Sequence, residues 1–186
     1  MNELATQKRT LDDKFIAYLE SLVKRDDRAA LAHLRRGLGK KTGTAMEMFP
    51  YISGWTINLS RNHDDAYFLV ASLIGLYPTL SWKKEDNLNN LGRSMSFLKT
   101  DSESTEKRFT ALLNANEEDL ANHLQQIVGL LKSKDAPINW LLLLKHIKSW
   151  RHEDKFVQRN WAKGFWEKPN MNKVQENTEE KGEQLL

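Results

Sequence analysis

Five histidines are the first side chains to test for chemistry: His33, His63, His123, His146 and His152. None has the i, i+4 partner or the HExxH spacing that sets two imidazoles on one helical face for a metal. His63-Asp64-Asp65 and His152-Glu153-Asp154 put carboxylates beside imidazoles, but both fall where helices are expected to begin. Acidic residues belong there because they complement the helix dipole and cap free N–H groups. The run Gly37-Leu38-Gly39-Lys40-Lys41-Thr42-Gly43 lacks the spacing of a phosphate loop and follows no strand, so it reads as a basic turn. No G-x-S-x-G elbow occurs, and the absence of cysteine removes disulfides, thiol nucleophiles and zinc knuckles together. The reading is of a chain with no catalytic residue, no metal and no cofactor.

Positive charge is the more informative feature. The 186 residues carry 28 Lys and Arg against 25 Asp and Glu, for a formal +3. The stretch 169–186 is net −2, which leaves +5 on the rest. Lys24 to Lys41 hold seven basic and two acidic residues, and Ile138 to Lys168 hold seven and three. Charge gathered in two stretches suits a polyanion-binding surface.

Those charges must be positioned by helices, since hydrophobic spacing is helical nearly everywhere and no strand alternation persists. An all-α chain of about eight to nine helices, arranged as a two-lobed bundle, is expected. The helices are placed at about 11–22 behind a Thr10 cap, 27–36, 64–76 ended by Tyr77-Pro78, 86–98, 105–113, 117–131 behind an Asn116 cap, 138–150 and 154–166. A short segment around Met46 to Phe49 is closed by Pro50. Residues 1–100 form one lobe and 101–168 a second bundle, joined by a linker at Lys99 to Ser104. Residues 169–186, poor in apolar side chains, are read as a disordered tail. No apolar run nears the ~20 residues that span a bilayer, and no signal-peptide core appears, so a cytoplasmic chain is expected.

On helical wheels Arg93 falls opposite the Leu88, Leu91, Met95 and Leu98 face. Lys155, Arg159 and Lys163 form a ladder opposite Val157, Trp161 and Phe165, spanning ~12 Å of helix. Lys145 and Lys148 lie away from Trp140, Leu143, Leu144 and Ile147. Arg36 is outward, whereas Arg35 flanks the apolar stripe as a candidate internal salt-bridge partner. Like charges at i, i+4 weaken a helix slightly, so their retention points to an external polyanion. Trp140, Trp150 and Trp161 are assigned to the core.

Six segments in order carry a resemblance: Ala30-Leu31-Ala32-His33-Leu34-Arg35-Arg36-Gly37, Asn90-Leu91-Gly92-Arg93-Ser94-Met95, Glu106 to Leu113, Leu120 to Leu131, Pro137 to Trp150, and Val157-Gln158-Arg159-Asn160-Trp161-Ala162 with Phe165-Trp166. Over about residues 10–167 the chain resembles the CasB family, the small subunit of the type I-E CRISPR surveillance complex called Cascade. The resemblance implies a non-enzymatic helical subunit whose partners are the other Cascade subunits and the crRNA ribonucleoprotein. It also implies a second copy of itself, head to tail, and contact with the target and non-target DNA strands. Leu34-Arg35-Arg36, Leu91-Gly92-Arg93 and Lys107-Arg108 match the family's basic motifs. The candidate nucleic-acid contacts are therefore Arg36, Arg93, Arg108, Lys107 and Arg35, with Lys145, Lys148 and Arg159 added from the wheels. Arg108 lies beside its helix's apolar face. Two other readings fit the same charges: a helical protein–protein adaptor and a free-standing DNA-binding regulator.

Overall fold

The computed structural model describes residues 9–82, 89–99 and 103–167. Among them are nine α-helices, one short 3-10 turn and no strand. In chain order the helices are α1 (Leu11–Lys24), α2 (Arg28–Arg35), α3 (Phe49–Thr56), α4 (Arg61–Leu76), α5 (Leu91–Ser96), α6 (Glu103–Leu113), α7 (Glu117–Ser133), α8 (Trp140–Lys148) and α9 (Phe156–Trp166). The all-helical expectation holds. The anticipated tail lies outside the described residues, as do residues 100–102 of the anticipated linker, whose last two positions already belong to α6.

Helix starts follow their caps. Thr10 and Asp13 form a reciprocal capping box at α1, and the side chains of Asp27, Asn90, Asn116 and Asn139 accept from the first-turn N–H groups of α2, α5, α7 and α8. Two expected boundaries are corrected. Pro50 does not close a segment: the 3-10 turn Met46–Met48 runs directly into α3, with Pro50 in its first turn, where a missing N–H costs nothing. The helix expected from residue 86 begins at Leu91, because Asn89 and Asn90 are non-helical and Asn90 caps it; positions 83–88 lie outside the described residues. The turn His152-Glu153-Asp154 likewise precedes α9 without capping it; the cap position is Lys155, in a left-handed conformation.

After a polar start, Arg61 to Asp65, helix α4 is apolar around its whole circumference, and Ala66 to Gly75 are buried with the single exception of Leu69, which is half-buried. It needs neighbours on every side, and α2, α3, α7 and α8 supply them. Gly75 makes the α2 contact possible: a Cβ there would meet the Arg35 amide nitrogen at 2.6 Å and the Leu31 carbonyl at 2.9 Å. Helix α1 joins through an ion pair. Lys148 Nζ lies 2.9 Å from both Asp12 carboxylate oxygens, and the Tyr67 hydroxyl donates to Asp12 at 2.6 Å. Burial and the neighbouring carboxylate push the Tyr67 phenol well above its ordinary value, so it stays a donor. The orphan carbonyl of Leu76, at the end of α4, accepts from Lys132 of α7 at 3.0 Å.

The segment after α4 pins α8. Trp140 Nε1 donates to the Thr79 carbonyl, Trp140 N to Ser81 Oγ, and Trp82 N to the Ile138 carbonyl. Trp140, Trp150 and Trp161 are all buried, as expected. Trp161 donates from Nε1 to His146 Nδ1 at 2.8 Å, which leaves the His146 proton on Nε2.

Burial lowers the His146 pKa to about 4 from an ordinary 6.5, with Lys145 adding to the shift. The folded state therefore refuses a proton that the unfolded chain accepts, so this contribution is full above pH 6.5 and is lost as pH falls from 6.5 towards 4. The slope is at most about 1.4 kcal/mol per pH unit. His146→Asn, which keeps an acceptor near the Nδ1 position but cannot titrate, should flatten the pH dependence of unfolding free energy in that window. Denaturant unfolding across the range checks this, and parallel curves for the two proteins would refute it.

Candidate nucleic-acid interface

Helices α5, α6 and α9 carry Arg93, Lys107, Arg108 and Arg159, and both α5 and α6 pack on α9. The α5–α9 contact is a backbone contact. A Cβ on Gly92 would fall 1.8 Å from the Trp161 carbonyl oxygen and 2.6 Å from its carbon, so only glycine lets the helices meet. Asn90 completes the joint: its Oδ1 accepts from the Arg93 amide at 3.1 Å and its Nδ2 donates to the Asn160 carbonyl at 3.2 Å. Leu91 and Met95 are turned inward, which leaves Arg93 exposed with no ion-pair partner among the described residues.

On α6, Thr105, Phe109 and Leu112 are buried, and Phe109 stacks on Phe165 of α9 with centroids 4.5 Å apart. Arg108 is exposed despite its place beside that face, and Lys107 pairs with Glu103 one turn earlier at 2.8 Å. Lys155, Arg159 and Lys163 are all exposed, and the Arg159 guanidinium donates to the Asp154 carbonyl of the preceding turn. Trp166 closes this end, half-packed on Phe109 and Phe165 and donating to Glu106 at 3.2 Å.

Helices α2 and α8 both pack on α4 and carry the other candidates. Arg36 is exposed and held 3.0 Å from Glu47, whose carboxyl lies below its ordinary pKa through its own backbone N–H, with help from Lys40 and Arg36. Arg35 is no internal ion-pair partner. It is exposed, and no carboxylate among the described residues pairs with it. Lys145 is exposed in the same way.

Lys148 requires a correction. The wheel placed it outward, yet its side chain is only 19% exposed and is spent on Asp12 of α1. Losing one partner of such an enclosed pair typically costs about 3–5 kcal/mol, so Lys148 holds the fold together.

Cations from both basic stretches join one from outside them at a cleft of about 880 Å³. The turn at residues 37–43 forms one wall, and the starts of α4 and α7 and the end of α8 form the others. Lys40, Lys41, Arg61 and Arg151 line it, and Arg151 pairs with Glu117 at the start of α7. Among the described residues no group of three or more His, Asp or Glu is placed to hold a metal ion, and no helix is long and apolar enough to cross a membrane.

A family model described as CRISPR-associated protein Cse2 matches residues 30–166. The chain belongs to that family. The CRISPR-associated protein Cse2 of Thermus thermophilus is 28% identical over 144 residues, covering 74% of this chain and 79% of its own. The crystal structure of M. ruber CasB is 32% identical with a TM-score of 0.70, over 84% of this chain and 93% of that one. A chain of a CRISPR RNA-guided surveillance complex, 21% identical, shares the fold with a TM-score of 0.69, over 83% and 91%. Two segments that carried the resemblance to CasB, Leu91-Gly92-Arg93 and the run through Trp161, thus turn out to be the two sides of one helix joint.

Because the atoms facing Gly92 are backbone, Gly92→Ala must push α5 off α9, beyond the usual overpacking cost of about 1–3 kcal/mol. Gly129→Ala, where a Cβ meets nothing within 4 Å inside α7, should be neutral or stabilising by up to about 1 kcal/mol. Urea midpoints compare the two, and equal midpoints would contradict the close approach.

Proposed function

We propose that this Cse2-family chain is a non-catalytic subunit of a CRISPR RNA-guided surveillance complex, Cascade, which grips DNA backbone through the exposed cations of its helices. In this reading it sits beside a second copy of itself, the other subunits and the crRNA ribonucleoprotein. It steadies the target strand and the displaced non-target strand once guide RNA has paired. Family membership supports the complex, as does the shared fold of a chain within such a complex. The observation that carries the DNA contact is the exposure of Arg35, Arg93, Arg108 and Lys145, each unpaired among the described residues and each on a helix whose other face is buried.

The physical case is one of balance. Opening duplex DNA to form a guide–target heteroduplex is nearly neutral in free energy, so modest protein contacts to backbone shift it. Arginine suits the task because its planar fork grips phosphate oxygens in pairs and never loses its charge. The adaptor reading has its own observation. Phe49 and Ile57 are exposed around α3, 36% and 79% respectively, in a stretch from Met48 to Ser60 without a charged residue. An uncharged surface of that kind suits a protein neighbour, and a subunit needs one as well as DNA.

Arg36→Ala and Arg93→Ala should leave stability within about 0.5 kcal/mol, as at other surface sites. In the assembled complex they should weaken DNA binding about equally for every target sequence. Each lost contact should make the plot of log K against log salt shallower by about 0.7 to 0.9. Salt titration of wild type, both single variants and the double variant measures this. Unchanged slopes with the subunit still incorporated would remove these arginines from the backbone contact, and loss of the subunit would favour the adaptor.

A further inference from the structure

Resting on the reading that the chain works on nucleic acid, we propose that the cleft walled by residues 37–43 and by the ends of α4, α7 and α8 is a second site, which takes a short unpaired stretch of strand. Lys41, Arg61 and Arg151 receive its phosphates, and its bases lie against the cleft lining.

Three observations carry this assignment. The first is convergence. Lys41 comes from the turn, Arg61 from the first residue of α4, and Arg151 from just past α8, yet all three line one cleft. Cations from three elements lining one cleft make a place where a phosphate group fits.

The second is size and lining. At about 880 Å³ the cleft lies at the upper end of the range for small-ligand pockets, about 300–1,000 Å³, so a lone phosphate would leave most of it empty. A duplex, with its bases stacked inside two backbones, cannot enter. The remaining surface suits bases: half-buried Leu38, Leu69, Ala121 and Ile147 offer apolar faces, and Asn62 and Gln125 offer amides that donate and accept.

The third is the behaviour of the acidic lining. Three carboxylates line the cleft, Asp65, Glu117 and Glu118; Glu117 is occupied by Arg151, and Lys148 by Asp12 outside the cleft. Asp65 sits among the cations, and burial raises its pKa, with Asp64 adding to the rise and Arg61, Lys41 and Arg151 opposing it. A carboxylate in that position competes with an incoming phosphate. Removing its charge must therefore strengthen binding, whereas removing the cations must weaken it.

The test uses the full chain and a labelled mixed-sequence single strand of DNA, with its duplex as comparison, titrated with salt by fluorescence anisotropy. The triple variant Lys41→Ala, Arg61→Ala, Arg151→Ala should lose about 2 from the single-strand slope, about 0.7 for each contact, and much less from the duplex slope. Asp65→Asn should bind the single strand severalfold more tightly, and more so than Glu153→Gln, which removes the same charge outside the cleft. If the triple variant does not melt like wild type, Arg61→Ala alone, exposed and without an ion pair among the described residues, should lose about 0.7.

Slopes equal to wild type would overturn the proposal. So would equal losses on single strand and duplex, an absence of single-strand binding by wild type at low salt, or displacement of the strand by polyglutamate from the triple variant as readily as from wild type. Arg36→Ala with Arg93→Ala is run in the same series. A slope change in that pair alone would sink the cleft and leave the outer faces standing. A change in the triple variant alone would do the reverse, and no change in either would sink both.

Discussion

The molecule is organised by the need to cover α4. A helix that is apolar on every side from Ala66 to Leu76 has no stable place except among other helices. Once α2, α3, α7 and α8 surround it, each has one face committed inward, and Arg35 of α2 and Lys145 of α8 project outward. Those two exposed cations are thus consequences of core packing as much as of selection for a ligand. The same residues are therefore expected to be replaceable without unfolding the chain. Where a cation was needed inside, as with Lys148, it came with a carboxylate and a tyrosine hydroxyl to enclose it.

Much of this was legible in the sequence. Thr10 with Asp13, Asn116 and Tyr77-Pro78 mark helix ends through short-range chemistry, and these ends fell where the spacing put them. The buried tryptophans followed from helical periodicity for the same reason. The failures share a different cause. Pro50 is compatible with either stopping or starting a helix, and only the 3-10 turn in front of it decides. A helical wheel for α8 contains no information about Asp12, which lies 136 residues away along the chain and meets Lys148 only in the folded state. Arg35 beside an apolar stripe looked like an internal partner, but the close α2–α4 contact at Gly75 leaves its side chain outside. The cleft was only partly visible: Lys41 and Arg151 fall in the two basic stretches, but Arg61 lies in neither, and the three have no common period and become neighbours only through tertiary structure.

The candidate interface therefore has two kinds of charge. Single cations on helix faces offer contacts to backbone that need no alignment with a sequence, as a subunit serving any guide requires. In the proposed reading, the grouped cations of the cleft offer a more demanding fit, one that would distinguish an unpaired strand from a duplex. In the proposed reading both act through phosphate, so both should weaken with salt, and neither reads bases by the bidentate pairing that specifies sequence.

The central claim is that this chain contributes backbone contacts to a guided complex. The salt dependence of target-DNA affinity, measured for the complex assembled with and without this subunit, tests it most directly. The account predicts a steeper fall of log K with log salt when the subunit is present, by about 0.7 to 0.9 for each phosphate it engages, for matched targets of any sequence. Identical slopes, with the subunit's presence altering affinity by a salt-independent factor, would contradict it.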